Sequence, residues 1–198
     1  MCIRDRRAQL AALGLAEEQL LGIHILYPGL IDTMTERLSF SAVIRSWQQC
    51  CPTILPDSRA AFPDAYVMLS NNAAAVAYSA FLRDTEPPPL PLLVMTVQEG
   101  IDAGTVLPGG RSMPLEAGHI SIDRNGPVCN CGNRGCLETF CSTTALFARL
   151  RAAGIPVSYQ DIYGSDPNEA AIAELAAAFA AGDEAVTACL QSYGRDLC

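Results

Sequence analysis

The chain has 198 residues, half of them apolar, and a formal net charge of −8. A chain of this length can bury a substantial core, and its apolar content excludes an intrinsically disordered protein. The acidic balance argues against tight binding of nucleic-acid phosphates, and no apolar run reaches the ~20 residues that span a bilayer. No signal peptide is recognisable, so we expect a soluble protein without a membrane partner.

The nine cysteines do not suggest a disulfide scaffold, because the number is odd and a chain of this size needs no staples. A reducing, cytoplasmic location is therefore expected. Residues 1–6 resemble neither a helix start nor a targeting signal, and the chain stops at Cys198 within a helical pattern. These two features predict a fragment of a longer protein.

The first third of the chain alternates between helical and extended patterns. Four segments are expected before residue 62: a surface helix over 7–20, a buried strand within 20–32 that enters a turn at Pro28-Gly29, a short strand over 36–40, and a helical or irregular stretch over 44–60 that holds Ile44, Trp47 and Leu55.

A clear strand-to-helix boundary follows. Residues 65–70 form an apolar run that predicts a strand, and Asn71-Asn72 then precedes an alanine-rich segment ending near Arg83. Asparagine is a preferred helix N-cap, so a helix is expected directly after the strand. Residues 86–91 include four prolines, which neither a helix nor a central strand accepts, and this cluster is the predicted lobe boundary.

The second half continues the alternation, which indicates an α/β fold. We expect strands over 92–97 and 103–107 and helices over 142–153, 167–181 and 183–196. Cys141 and Cys189 fall in helical patterns and are expected to behave as small buried hydrophobes.

Residues 119–138 contain a metal-ligand pattern, H-x9-C-x-C-x4-C, formed by His119, Cys129, Cys131 and Cys136. Thiolates and imidazole are ligands that zinc prefers, and four of them close a tetrahedral structural site. Glycines along the loop allow the tight backbone turns that would bring the ligands together. A disulfide or a chance cluster of cysteines is the alternative.

The longer motif LEAGHISIDRNGPVCNCGNRGCLETF resembles the signature of the ROK family (repressors, open reading frames and sugar kinases). The family pattern is Glu-x-Gly-His followed by Cys-x-Cys-Gly-x-x-Gly-Cys-Leu-Glu, and the chain has all of its positions: Glu116, Gly118, His119, Cys129, Cys131, Gly132, Gly135, Cys136, Leu137 and Glu138. The resemblance implies an actin/hexokinase (ribonuclease H-like) two-lobe fold. We assign residues 7–88 to a partial small lobe and residues 89–198 to a partial large lobe with the zinc loop 119–138.

The resemblance also implies roles for individual residues. His119 and the three cysteines would hold a structural zinc ion, while Glu116, His119 and Glu138 would face the hydroxyls of a hexose or N-acetylhexosamine. Carboxylates suit polyols because they accept strong charge-assisted hydrogen bonds. The alternative for both glutamates is an ordinary surface carboxylate. Family members are commonly homodimers or tetramers.

Two departures from the family pattern concern phosphoryl transfer. Family kinases carry Asn-Asp-x-Asn, whose Asp is the general base, whereas this chain has Asn71-Asn72-Ala73-Ala74. Asn71 would remain a sugar contact, but an amide at Asn72 cannot accept the proton. A simple helix cap is the alternative for this asparagine pair.

The second departure is the glycine-rich phosphate loop. Kinase members have Gly-Thr-Gly-Ile-Gly-Ala-Gly, and this chain reads Gln-Glu-Gly-Ile-Asp-Ala-Gly over residues 98–104. Glu99 and Asp102 would place negative charge beside phosphate.

These features lead to a hypothesis of a sugar-binding module without kinase activity, such as the effector-binding part of a carbohydrate-responsive transcriptional regulator. DNA would be bound only through an upstream domain. The main alternative is an ATP-dependent hexose or N-acetylhexosamine kinase, which would need ATP and Mg²⁺. A structural zinc protein without a sugar site is a third possibility.

Overall fold

The computed structural model describes residues 3–32, 34–41, 54–83, 86, 88–157 and 167–197. Its strands are β1 (Gly22–Tyr27), β2 (Leu30–Asp32), β3 (Arg37–Phe40), β4 (Tyr66–Asn71), β5 (Leu92–Val97), β6 (Ile101–Val106) and β7 (Ser112–Pro114). Its helices are α1 (Ile3–Ala12), α2 (Ile54–Ala61), α3 (Asn72–Arg83), α4 (Glu138–Cys141), α5 (Thr143–Ala152), α6 (Pro167–Ala180) and α7 (Glu184–Leu197). The alternation of strands and helices confirms the α/β class.

The chain divides into two compact units. The first unit comprises residues 1–93 and 104–114, and the second comprises residues 94–103 and 115–198. Strands β5, β6 and β7 form a sheet in that order. The assignment of residues 7–88 and 89–198 to family lobes stays a prediction.

In the first unit, β1 and β4 form a parallel pair in which Gly22 lies opposite Tyr66 and Tyr27 lies opposite Asn71. The strand predicted within 20–32 is therefore confirmed, but the expectation that it is buried is wrong for half of its side chains. Leu26 is 48% exposed because alternate residues of a strand face opposite sides, and only one side of β1 packs inward.

The N-terminal helix is shorter than the periodicity predicts. It ends at Ala12, and Gly14 follows with a φ of +68°. A left-handed glycine after the last turn is a common helix C-cap, so the expected continuation to residue 20 is wrong. Residues Glu17–Gln19 form a separate 3-10 turn.

Helix α3 packs closely on β6 within the first unit. A Cβ on Gly104 would lie 2.2 Å from the Ala73 carbonyl oxygen and 2.9 Å from the Ala77 Cβ. Ala73 and Ala77 are buried. The small residues at these positions therefore allow helix and strand to approach more closely than larger side chains would.

In the second unit, α5, α6 and α7 enclose an apolar core. Its buried members are Phe147, Leu150, Ala171, Leu175 and Val186. The three helices match the segments predicted over 142–153, 167–181 and 183–196. Cys141 is fully buried, as predicted, and Cys189 packs against this core with partial exposure.

The expectations for Ile44 and Trp47 lie outside the described residues. Leu55 lies on α2 and is buried. The described helices include none with the length and apolar character required to cross a membrane.

Candidate functional site

The four predicted metal ligands converge in the second unit. The ligand atoms of His119, Cys129, Cys131 and Cys136 all lie within 4.8 Å of one another. Cys129 and Cys136 are buried, and the other two are partly exposed. Residues that are 17 positions apart in sequence thus form one cluster, as the spacing predicted. We call these four residues the metal cluster.

Two distances within the metal cluster match those of a tetrahedral site. Ligands about 2.3 Å (S) and 2.0–2.1 Å (N) from one zinc ion would be separated by about 3.7–3.8 Å between sulfurs and about 3.6 Å between sulfur and nitrogen. Cys131 Sγ and Cys136 Sγ are 3.7 Å apart, and Cys129 Sγ and His119 Nδ1 are 3.6 Å apart. A disulfide requires about 2.05 Å between sulfurs, so the geometry fits a metal ion better than a disulfide.

Tight turns of the 119–138 loop bring the ligands together. Gly135 has a φ of +63°, and a Cβ there would lie 1.6 Å from the Asp123 carbonyl oxygen. Its carbonyl accepts a hydrogen bond from the Ile122 N–H at 2.8 Å, and its N–H donates to the Pro127 carbonyl at 2.8 Å. Only glycine satisfies both the dihedral angle and this close approach, and the turn delivers Cys136 to the cluster.

The two buried thiols of the cluster do not ionise readily by themselves. Burial raises the pKa of Cys136 to about 12, with Cys131 and Cys129 contributing further. Burial also raises the pKa of Cys129. A bound cation reverses this tendency because a coordinated thiol is deprotonated. The residues present therefore fit a metal ion, which would stabilise the thiolate form of the buried Cys129 and Cys136.

Glu116 and His119 lie on one short turn next to the cluster. Glu116 has a left-handed backbone, with φ 49° and ψ 39°, and Ala117–His119 form a 3-10 turn after it. His119 Nδ1 faces Cys129, and its Nε2 is 3.9 Å from Glu116 Oε2. One ring nitrogen thus faces the metal cluster and the other faces a carboxylate, an arrangement that orients metal-bound histidines.

The second carboxylate oxygen of Glu116 is buried without a hydrogen-bond partner among the described residues. Burial raises the pKa of Glu116, and the charges of Asp102 and Glu138 raise it further, while His119 lowers it. A buried acceptor without a donor is costly. Glu116 Oε1 is thus an acceptor to which a ligand hydroxyl could donate.

Glu138 begins α4 and connects the cluster to the 98–104 segment. Its Oε2 accepts the Ile101 N–H at 3.0 Å, and its Oε1 lies 4.0 Å from Cys129 Sγ. The structure thus brings Glu116, His119 and Glu138 together within the second unit.

The 98–104 segment has several backbone donors engaged internally. The Gln98 N–H donates to the Gly100 carbonyl and the Ala103 N–H donates to Asp102 Oδ1, each at 2.8 Å, in addition to the Ile101 N–H. Phosphate loops present such N–H groups to the anion. These three are occupied by acceptors of the protein itself.

Asp102 belongs to the electrostatic environment of this site. Burial raises its pKa, and its charge interacts with His119 and Glu138. The sequence indicated only that Asp102 would oppose phosphate, not that it lies near the carboxylates. A charged residue inside the buried strand β6 was a signal for a polar environment there.

Asn71 and Asn72 lie in the first unit, at the β4–α3 boundary. Asn71 Oδ1 accepts the N–H groups of Ala73 (2.8 Å) and Ala74 (3.1 Å), and its Nδ2 donates to the Gly29 carbonyl (2.8 Å). This side chain caps the helix, as the alternative interpretation stated. A sugar contact by Asn71 stays a prediction. Asn72 Oδ1 is buried without a partner among the described residues.

Comparison with known proteins identifies the family of this chain. The ROK family model matches residues 11–198. The chain belongs to the ROK family. It is 32% identical over 151 residues to the xylose repressor of Bacillus subtilis (strain 168), an alignment that covers 72% of this chain and 37% of that repressor.

Solved structures of ROK proteins share the fold. A ROK transcriptional regulator, a homologue of the E. coli MLC protein, superposes with a TM-score of 0.68 at 26% identity, covering 98% of this chain and 48% of that one. A ROK hexokinase from Thermus thermophilus superposes with a TM-score of 0.63 at 26% identity, covering 96% and 58%. The expected hexokinase-like fold is therefore confirmed, and the family contains both regulators and kinases resembling this chain.

Proposed function

We propose that this chain is the sugar-binding part of a ROK protein without phosphotransferase activity, as in the effector-binding part of a carbohydrate-responsive transcriptional regulator. The observation that carries the proposal is the internal engagement of the Gln98, Ile101 and Ala103 N–H groups, where family kinases bind phosphate. Asp102, beside them, adds a charge that repels phosphate.

The base position supports the same conclusion. Asn72 stands where family kinases have the aspartate that removes the hydroxyl proton. The loss of a general base costs about 10²–10⁴-fold in rate. The Asn72 amide oxygen can still accept a hydrogen bond from a hydroxyl, and it has no partner among the described residues. Recognition of a polyol is thus retained while proton removal is lost.

Glu116, His119 and Glu138 are the proposed sugar contacts. Glu116 Oε1 is an available buried acceptor, and His119 Nε2 faces the same carboxylate. Zinc is the metal proposed for the cluster, since three thiolates and one imidazole gathered within 4.8 Å of one another suit it. Its role is structural: it holds His119 and the loop in place.

The ligand class is a hexose or an N-acetylhexosamine, because carboxylates, imidazole and amides recognise the hydroxyl pattern of such sugars. A homodimer or tetramer, and DNA binding through an upstream domain, follow from family membership alone. The xylose repressor of Bacillus subtilis is a relative that is named for a regulatory role, but the alignment covers only 37% of that protein.

The alternative is an ATP-dependent hexose or N-acetylhexosamine kinase that uses ATP and Mg²⁺, which the superposition on a ROK hexokinase favours. The deciding experiment uses the zinc-loaded protein. Calorimetry with a panel of hexoses and N-acetylhexosamines should show binding, and a coupled assay should show no sugar-dependent ATP consumption.

Clear ATP turnover would establish the kinase, and absence of any sugar binding by the folded protein would favour a purely structural zinc protein. Asn72→Asp separates the two proposed defects in phosphoryl transfer, the missing general base and the altered phosphate loop. We expect no turnover in this variant, because the backbone donors of the 98–104 segment stay engaged. Turnover in Asn72→Asp alone would show that only the base is lost.

A further inference from the structure

Helix α4 is only four residues long, and the carbonyl groups at its C-terminal end need partners from other elements. Arg149 Nη2, on α5, donates to the Phe140 carbonyl at 3.0 Å. The Tyr193 hydroxyl, on α7, donates to the Cys141 carbonyl. Two side chains from two other helices therefore hold the end of α4.

The groups that hold α4 are themselves connected. Arg149 forms an ion pair with Asp196 Oδ2, and its guanidinium carbon lies 5.9 Å from the centre of the Tyr193 ring. The Cys141 thiol lies 3.0 Å from the Asp196 carbonyl oxygen. We call Arg149, Tyr193 and Asp196 the α4 clamp. The planar, five-donor guanidinium suits this role because it can contact a carbonyl, a carboxylate and a ring together.

The opposite end of α4 carries the candidate site. Glu138 is its first residue, and the Thr139 hydroxyl donates to the Cys136 carbonyl at 2.7 Å. The Phe140 ring contacts the metal loop, since a Cβ on Gly126 would lie 2.8 Å from Phe140 Cζ. A four-residue helix is about 6 Å long, so little separates the clamped end from the end that bears the site.

We propose that Arg149 is a positioning residue: by holding α4 it sets the positions of Glu138 and Cys136. The terminal helix α7 is thereby part of the binding apparatus through Tyr193 and Asp196. The effect on sugar affinity rests on the proposed function. The effect on the metal cluster does not, because Cys136 belongs to the cluster whether or not a sugar binds.

A purely structural role for the α4 clamp predicts a different result. It would lower the stability of the second unit and leave the folded site unchanged. The two roles are therefore separated by the affinity and the spectrum of the metal site, measured on folded protein. Groups that orient metal ligands typically change metal affinity by about 10–100-fold when they are removed.

The test compares Arg149→Ala, Arg149→Lys and Tyr193→Phe in the full chain, with Arg195→Ala as the matched control. Arg195 is an exposed arginine adjacent to Asp196 on the same helix. Zinc affinity is measured by chelator competition, the geometry of the cluster by the visible absorption of bound Co²⁺, and sugar affinity by calorimetry.

We expect Arg149→Ala to weaken zinc binding and hexose binding about 10-fold each and to alter the Co²⁺ spectrum. Arg149→Lys should recover part of both, because an ammonium can still donate to the Phe140 carbonyl. Tyr193→Phe removes one neutral hydrogen bond and should give a loss of about 3–10-fold. Arg195→Ala should bind zinc and sugar as the native protein does.

Unchanged zinc affinity, sugar affinity and Co²⁺ spectrum in folded Arg149→Ala would overturn the proposal, whatever its thermal stability. If that variant does not fold, Tyr193→Phe decides by the same criteria. A native protein that binds no sugar, but whose zinc affinity and Co²⁺ spectrum respond to the clamp variants, would refute the proposed function and support the positioning role.

Discussion

The turn that carries His119 packs directly against β6 at Gly118, and this contact predicts the result of one substitution. A Cβ at Gly118 would lie 2.0 Å from the Ile101 carbonyl oxygen and 2.9 Å from its carbonyl carbon. Both are backbone atoms, so no rotamer change relieves the clash. Since such contacts below 3.0 Å essentially do not occur, Gly118→Ala would displace the turn by about 1 Å.

That displacement is large for a metal site. Coordination distances are held within about 0.2 Å, and His119 directly follows Gly118. We therefore expect Gly118→Ala to weaken zinc binding by about 100-fold or more, approaching the effect of His119→Ala. Chelator competition measures the affinity, and far-ultraviolet circular dichroism checks that the variant is folded.

The chain offers a matched glycine for comparison. Gly194 lies on α7, and a Cβ there would meet nothing within 4 Å. Gly194→Ala should stabilise the protein by about 0.5–1 kcal/mol and leave zinc affinity unchanged. A folded Gly118→Ala variant that binds zinc within threefold of the native protein would refute the reasoning.

Three further predictions concern stability. Asn71→Ala should cost about 2–4 kcal/mol in urea unfolding, because it removes a helix cap and leaves the buried Gly29 carbonyl without this donor. Asn71→Asp keeps the cap acceptor but places a second acceptor against the Gly29 carbonyl, so it should also lose stability, and native-like stability of Asn71→Asp would contradict this account. Chelation should lower the melting temperature by about 10 °C, and Cys136→Ser should lose this response. Hydrogen bonds from Arg59 lower the pKa of Glu36 in the folded protein. The folded state therefore gains their full stabilisation above the ordinary pKa of 4.5 and loses it as the pH falls through the lower folded-state pKa. Glu36→Gln should flatten this acid dependence of the free energy of unfolding.

Local chemistry explains which parts of the fold the sequence could predict. The β4–α3 boundary was predictable because Asn71 follows an apolar run and offers a cap acceptor to the next amides. The metal cluster was predictable because its ligand types and glycine turns are local to one loop. Helices α5 to α7 have apolar positions at helical spacing that form a shared core.

Tertiary contacts decided the remainder. The three-residue strand β7 is too short to show an alternating pattern. It is defined by its antiparallel pairing with β6, in which Gly104 lies opposite Pro114 and Val106 lies opposite Ser112. The proximity of Asp102 to Glu116 and Glu138 depends on how β6 meets a turn and a helix that lie farther along the chain. The exposed side of β1 could not be read from composition, because an apolar run looks the same whether one or both faces are covered.

The left-handed backbone of Glu116 lowers the stability of the fold at a residue that we propose as a sugar contact. A non-glycine residue in this conformation costs about 1–2 kcal/mol, which glycine would recover. A screen that selects only for thermal stability should therefore enrich Glu116→Gly. The same substitution deletes the carboxylate with the available buried oxygen, so heat-selected variants would lose the sugar contact that we propose for Glu116. Selection for ligand response should favour Glu over Gly at residue 116. The residue found there after laboratory evolution would therefore indicate which property was under selection.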